Sequence, residues 1–450
     1  MVKEEMFDKI YSTLEKSLGS MGLRDFEVYF ERVQSRNYES KDQALDSSLE
    51  AVQEGVALRV FQEGRVAYAY STDLGTEALA KMAAAVASSL PWVDPEPGFQ
   101  LASPAALPTV ELKNFVPELT QIPNARKLEA AIAMEAAAKN FDPRVKYVRS
   151  SAYEEKIATY QLRNSRGVDV GYSRSRCQMG VMAVAEADGE AESGYEFDSA
   201  PGFEALDPEK IGRDSAERAV AYLGGTSLPS RRVPVLLDPS VAGDVLQVLA
   251  ASFQGDSVFK KRSNLEGKLG EKLFSDLLNI EDNSLLPEGM ASCPFDGEGM
   301  PSRRLPLVER GKIANFLLDR LYAGKLGLVA NASTVRRGIL RPPFLSYSNL
   351  RIPPGDRSDA QLYREVGSGI LVTDVFGMHA ANPVTGDFSV GFQGFLIEGG
   401  EKRGPVKKLA LAGNLHRMMA DLRAVGSSYK VQGQIGAPLL VIQEMAIGGS

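Results

Sequence analysis

Histidine is almost missing from this chain: its 450 residues include two, His379 and His416, and two cysteines, Cys177 and Cys293. Imidazole is the side chain that shuttles protons near neutral pH, and it is the commonest ligand of transition metals. A catalytic zinc site takes three protein ligands, often with two histidines one helical turn apart. Here the histidines lie 37 positions apart, and neither HExxH nor CxxC occurs. The inventory therefore argues against a self-sufficient zinc hydrolase. Two distant cysteines make no disulfide framework and fit a reducing compartment, so a cytoplasmic location is expected.

Long apolar runs are missing as well. None approaches the roughly 18–20 residues of a membrane span, so no membrane partner is expected. The opening MVKEEMFDKIYSTLEKSLGS is too charged for the apolar core of a signal peptide. There is no basic excess either: 51 Lys and Arg stand against 58 Asp and Glu, a net charge of −7. That balance discourages phosphate backbones, and no nucleic-acid partner is expected. The most basic stretch, VRRGILRPP at 335–343 with Arg351, is short, broken by proline and without an aromatic platform. A P-loop, a GxSxG elbow and a post-strand GxGxxG turn are all absent, which removes support for nucleotide and α/β-hydrolase chemistry.

What is present reads as an α+β protein of two or three domains. Met6, Phe7, Ile10, Leu14 and Leu18 recur at helical spacing, and Phe26, Val28 and Phe30 alternate as in a half-buried strand. Residues 51–70 predict a hairpin turning at Glu63-Gly64-Arg65, and Asp73 is placed to cap a helix over 75–90. Five prolines in 91–108 mark a linker. A helix over 124–140, strands over 144–200 and a helix over 207–223 form a second unit. The hairpin at 155–175 echoes the one at 55–72, a hint of duplication. After 224–232 come a short buried strand at 233–237, a helix opened by Pro239 and running to about 253, and a β-rich remainder. The units are therefore 1–108, 109–228 and 229–450, an N-terminal α/β region with hairpins and helices followed by a β-rich C-terminal domain.

The densest unusual stretch is FGMHAANPVTGDFSVGFQGFLIEGG at 376–400. Asn382-Pro383 and Thr385-Gly386-Asp387 predict two tight turns before an alternating strand. Its polar side chains either satisfy their own backbone or form a peptide- or partner-binding loop beside a sheet edge, with His379, Asn382, Thr385 and Asp387 as candidates. No motif places a nucleophile or carboxylate beside His379, and His416 lies in a helical pattern, near that helix's surface. In FDGEGMPSRR at 295–304, Asp296 and Glu298 could hold a cation, although pairing with Arg303 and Arg304 is the simpler reading.

Taken together, FDGEGMPSRRLPLVERGKIANFLLDRLYAGKLG (295–327), NPVTGDFSVGFQGFLIEGGE (382–401) and LALAGNLHRMM (409–419) resemble the TldD/PmbA family, once linked by name to DNA gyrase. GVALRVFQEGRVAYAYSTDL (55–74) and the NSRG turn at 164–167 extend the likeness over essentially the whole chain. The resemblance implies a cytoplasmic two-subunit metalloprotease. Its TldD subunit carries an HExxxH zinc helix and a late cysteine ligand, and its PmbA or TldE subunit lacks them. Aligned on Gly255-Asp256, the zinc window here reads Leu246-Gln247-Val248-Leu249-Ala250-Ala251. The two ligand positions become Leu246 and Ala251 and the general base becomes Gln247, with no cysteine after Cys293. Histidines five apart lie about 140° apart on an ideal helix, so the motif itself requires local distortion.

The expectation is a non-catalytic subunit without catalytic residues, metal or cofactor of its own. It would pair with a TldD-type chain that holds the zinc, and act on unfolded peptide. Two rivals remain: a homodimeric peptide-binding protein, and a peptidase with an unrecognised site, for instance through Asp296, Glu298 and His379.

Overall fold

The computed structural model describes residues 2–449. The first unit comprises α1 (Val2–Ser20), β1 (Asp25–Lys41), β2 (Ala44–Gln62), β3 (Arg65–Ser71) and α2 (Thr76–Ser89). The second repeats that order with α3 (Asn124–Lys139), β4 (Val145–Asn164), β5 (Asp169–Ala187), β6 (Glu190–Ala200) and α4 (Pro208–Ala221). Their strands form one antiparallel sheet in the order β3-β2-β1-β4-β5-β6, with β1 and β4 paired at the centre. The duplication is real but offset from the expected one: the β2–β3 hairpin corresponds to β5–β6, not to the β4–β5 hairpin at 155–175.

Side-chain alternation explains the layering. One sheet face presents Phe26, Val28, Phe30 and Leu58 to the apolar stripe of α1 and to Leu79, Met82 and Val86 of α2. The same face of the second unit presents Tyr153, Met179 and Val181 to α3 and α4. The opposite face, with Tyr29, Ala158, Tyr160 and Leu162, packs on Phe295 and Ile339 of the C-terminal part. Asp73 caps nothing directly. Its carboxylate accepts from Gly75 N at 2.9 Å, and Gly75 is the N-cap of α2. The proline-rich segment is no free linker either, because Leu101 and Ala102 are buried and Ala102 O accepts from Asn164 Nδ2 at 2.9 Å.

Helix α4 approaches β5 and β6 closely. Ser215 Oγ donates to Gly194 O at 2.8 Å and accepts from Ala183 N at 3.1 Å. A Cβ on Gly194 would lie 2.1 Å from Ser215 O and 2.6 Å from Ala219 N, both main-chain atoms of α4. Gly194→Ala should therefore push the helix off the sheet and cost about 1–3 kcal/mol or more. A urea unfolding midpoint equal to that of the parent would contradict this close contact.

The C-terminal part begins with β7 (Arg231–Leu237), α5 (Pro239–Leu249) and α6 (Gly255–Phe259). There follow β8 (Ile280–Asn283), β9 (Arg304–Glu309), β10 (Lys312–Ile313), α7 (Arg320–Leu326), β11 (Thr334–Val335), β12 (Phe344–Leu345) and β13 (Leu350–Arg351). It ends with α8 (Asp359–Val366), β14 (Ser368–Phe376), β15 (Asp387–Glu398), β16 (Glu401–Asn414), α9 (Leu415–Ala420), β17 (Leu422–Gln432) and β18 (Ile435–Gly448). Because β7 pairs with both β14 and β18, the path β7-β14-β15-β16-β18 closes on itself. Alternate residues serve opposite faces: Val235, Leu237, Ile370 and Leu440 join the core around α5, whereas Leu236, Leu371 and Leu439 meet Leu362 of α8.

Candidate functional site

Helix α5 is built as scaffold. Pro239 occupies its first turn, and Asp238 caps it by accepting from Ser240 N at 2.9 Å. Val241, Val245, Leu246 and Leu249 recur at helical spacing and are buried in the main C-terminal core. Leu246, expected from the resemblance at the first ligand position, is 1% exposed, whereas Gln247 faces solvent. At Ala250 the winding tightens into a 3-10 turn through Phe253, so the window 246–251 straddles a change of helix type. Ala251 is half-buried within that turn.

The end of this turn meets the loop before β15. Ser252 Oγ lies 3.4 Å from Nε2 of His416, which belongs to α9. His416 is half-buried rather than near the surface, because its ring stacks on Phe274 at 6.2 Å between centroids. Burial lowers its pKa, against an opposing pull from Asp387. Its Nδ1 has no hydrogen-bond partner among the described residues.

Three of the four loop candidates converge here. Asn382 Oδ1 accepts from Val384 N at 2.9 Å and Thr385 N at 3.1 Å, and Thr385 Oγ1 accepts from Asp387 N at 3.2 Å. Thr385 O and the Asp387 carboxylate each accept from Asn414 Nδ2 at 2.8 Å. The Asp387 pKa is lowered by Asn414 and Thr385. The loop polar groups thus largely satisfy one another. His379 is not part of the group: it is exposed on a one-turn 3-10 helix and makes no hydrogen bond among the described residues.

Asp296 and Glu298 differ from the expected ion pairs. Arg304 pairs with Glu281, and Arg303 donates to Asn331 O. Glu298 pairs instead with Arg59 of the N-terminal sheet at 3.2 Å. Arg59 also grips Glu27 through two bonds of 2.9 and 2.8 Å, and Arg336 joins Glu27 from the other side. The supposed basic patch at 335–343 is therefore partly internal: the Arg336 side chain is 4% exposed and stacks 4.4 Å over Tyr29. Asp296 accepts from Glu298 N, Met300 N and Thr334 Oγ1, and burial raises its pKa to about 6. Among the described residues no hydrogen bond or ion pair joins His379 to Asp296 or Glu298.

A different opening suits an extended ligand. A cleft of about 940 Å³ lies between the second unit and the C-terminal part, walled by Leu119, Phe203, Leu286 and Met290 and by Tyr429 and Val431 of β17. Among the described residues, β17 pairs only with β18, apart from one bridge between Arg357 and Gly426, so its other edge is open alongside Tyr429 and Val431. None of His379, Asn382, Thr385 and Asp387 lines this cleft. Ser252, Asn264, whose Nδ2 donates to Thr385 O at 2.9 Å, and the β17 edge carried no sequence signal. Asn414 did, as a helix-capping residue just before LHRMM.

Family models describe three consecutive stretches as PmbA/TldA metallopeptidase domains: domain 1 over 26–89, the central domain over 117–223 and the C-terminal domain over 230–449. A protein named Metalloprotease from Methanothermobacter thermautotrophicus is 30% identical over 323 residues, 66% of this chain and 69% of its own. The chain belongs to the PmbA/TldD family. Metalloprotease PmbA of Escherichia coli is 29% identical over 397 residues, covering 88% of this chain and 85% of its own. The crystal structure of a candidate modulator of a DNA gyrase from Thermotoga maritima matches with a TM-score of 0.90 at 25% identity, covering 98% of this chain and all of that one. TldE from Thermococcus kodakarensis shares the fold, with a TM-score of 0.89 at 21% identity over 99% of this chain and all of that one.

The stretch 246–251, where the resemblance leads one to expect the zinc window, offers no donor set for zinc. Leucine and alanine offer no lone pair, and the amide of Gln247 points to solvent on the side away from the core. Among the described residues, no three His, Cys, Asp or Glu side chains are grouped to hold a metal ion. No described helix is long and apolar enough to cross a membrane.

Proposed function

We propose that this chain is the zinc-less, PmbA/TldE-type subunit of a cytoplasmic two-chain peptidase, and that it presents unfolded peptide to a TldD-type partner holding the zinc. Leu246 carries the reading. A residue buried at 1% exposure in an apolar core is a packing residue, and a helix built on such positions supports a wall rather than a reaction centre. The apolar cleft beside β17 supplies the matching binding element. An extended peptide can add to an open strand edge through main-chain hydrogen bonds, which read no sequence, while apolar walls take its side chains. That combination favours unfolded chains over folded ones.

The test is peptidase activity on an unfolded polypeptide with metal content measured in the same samples: this chain alone, a TldD-type partner alone, and the two mixed. Activity and stoichiometric zinc are expected only where the partner is present, with higher activity in the mixture. Cleavage by this chain alone, abolished by a chelator, would overturn the proposal.

A further inference from the structure

Between the N-terminal sheet and the C-terminal part lies a second, smaller chamber of about 130 Å³. Tyr160 and Tyr172 wall it on the sheet side, Ser346 and Tyr347 on the other. Its size is close to the roughly 150 Å³ of an engineered cavity that admits one benzene, so it suits a ligand of that scale.

The charges lining the chamber are not paired with each other. Arg174 contributes a half-buried guanidinium that contacts Tyr160, with no carboxylate in ion-pair range among the described residues. Arg336 lines the same space and keeps Nη1 without a partner, although its side chain is 4% exposed. Asp282 and Asp296 lie on the chamber too; neither has a cation in ion-pair range among the described residues, although Arg303 acts on both from further off. The Asp282 carboxylate is held through Oδ1 by Ser348 N at 2.8 Å and Ser348 Oγ at 2.7 Å, contacts that fix it without neutralising it. Arg336 is paired with Glu27 through its other terminal nitrogen, so what stays unmet is its Nη1, together with two carboxylates that are hydrogen-bonded but outside ion-pair range. Unmet buried polar groups are costly. Direct pairing inside one small cavity would remove that cost, so the arrangement suits a guest that brings both charges.

We infer that the chamber binds a small zwitterion, a free α-amino acid, with its carboxylate on the Arg174 and Arg336 guanidiniums and its ammonium on Asp282 and Asp296. Arg337, on the chamber wall, is exposed. Within a metalloprotease family, such a ligand is chemically an end product of peptide breakdown. The chamber would hold it whether or not peptide enters the cleft beside β17.

Calorimetric titration of the full chain tests this, using glycine, L-alanine and L-serine, then N-acetyl-L-alanine, L-alanine amide and acetate. Saturable binding is expected for the free amino acids. It should weaken about tenfold or more when either charge is masked, as loss of a charge-assisted contact implies. Arg174→Gln, checked for an unchanged far-UV circular dichroism spectrum, should weaken alanine binding by a similar factor. No binding by any free amino acid would overturn the inference. So would equal binding of alanine and its N-acetyl or amide form, which is read on the unmodified protein and does not depend on how a variant folds.

Discussion

Arg59→Met is expected to lower folding stability by about 3–5 kcal/mol, the usual cost of breaking a buried ion pair by removing one partner. The side chains involved are all but sealed: Arg59 is 5% exposed, Glu27 1% and Glu298 4%. Without Arg59, Glu27 keeps Arg336, but Glu298 keeps only a long contact of 3.4 Å from Arg320 N. Urea unfolding near neutral pH should show the loss, and Arg59→Met with Glu298→Gln should recover part of it, because the stranded charge is gone. A loss under about 1 kcal/mol would place this network among surface-like pairs instead. The acid side has a definite sign. Burial alone would raise the Glu27 pKa, but Arg59 and Arg336 outweigh it and hold the value below the ordinary carboxylate range. The Glu27 contribution is therefore fully present above the unfolded-state pKa and is lost as pH falls through the lower folded one. Arg59→Met should flatten that acid limb.

Glu155→Gln should be of similar size, about 3–5 kcal/mol, for the converse reason. Lys127 is fully buried, and its Nζ lies 2.9 and 2.8 Å from the two Glu155 oxygens. Arg36 at 2.7 Å and the Tyr153 hydroxyl at 2.7 Å complete the set, tying α3 to the centre of the sheet. A neutral amide can still accept through its oxygen, as Leu119 O does at 3.4 Å, but it leaves the buried ammonium without a counter-charge. Lys127→Met with Glu155→Leu should recover part of that loss in urea, because no buried ammonium remains, while the buried Tyr153 hydroxyl, left without its acceptor, keeps the variant below the parent. If the double variant were worse than Glu155→Gln, the pair would be stabilising in its own right.

Much of this architecture was legible along the chain. The stripe Phe7, Ile10, Leu14 and Leu18 and the alternation Phe26, Val28, Phe30 specify both the element and the buried face. The α5 window was legible for the same reason: an apolar stripe at helical spacing can only be core. The long arms of β1 and β2 were not, because residues 44–50 of β2 are exposed throughout and carry no alternation to read. The destination of Glu298 was not legible either. Its partner Arg59 is 239 positions away, and local charge spacing pointed instead to Arg303 and Arg304. His416 looked like a surface position because its helix is only six residues long, so Phe274 and Ser252, which cover it, come from elsewhere.

The shared sheet of the two repeated units has a consequence for synthesis. β1 ends at Lys41, but β4, which covers its inner edge, is complete only at Asn164, about 120 residues later. At about 5–20 residues per second, the ribosome leaves that edge waiting for roughly 6–24 s. An uncovered strand is a template for the wrong neighbour, and charged side chains along it are the usual defence. Glu27, Glu31, Arg32, Arg36, Glu39 and Lys41 all stand on β1. Three of them, Glu27, Arg32 and Arg36, later bridge to other strands, so the same charges can first serve as guards on a nascent chain.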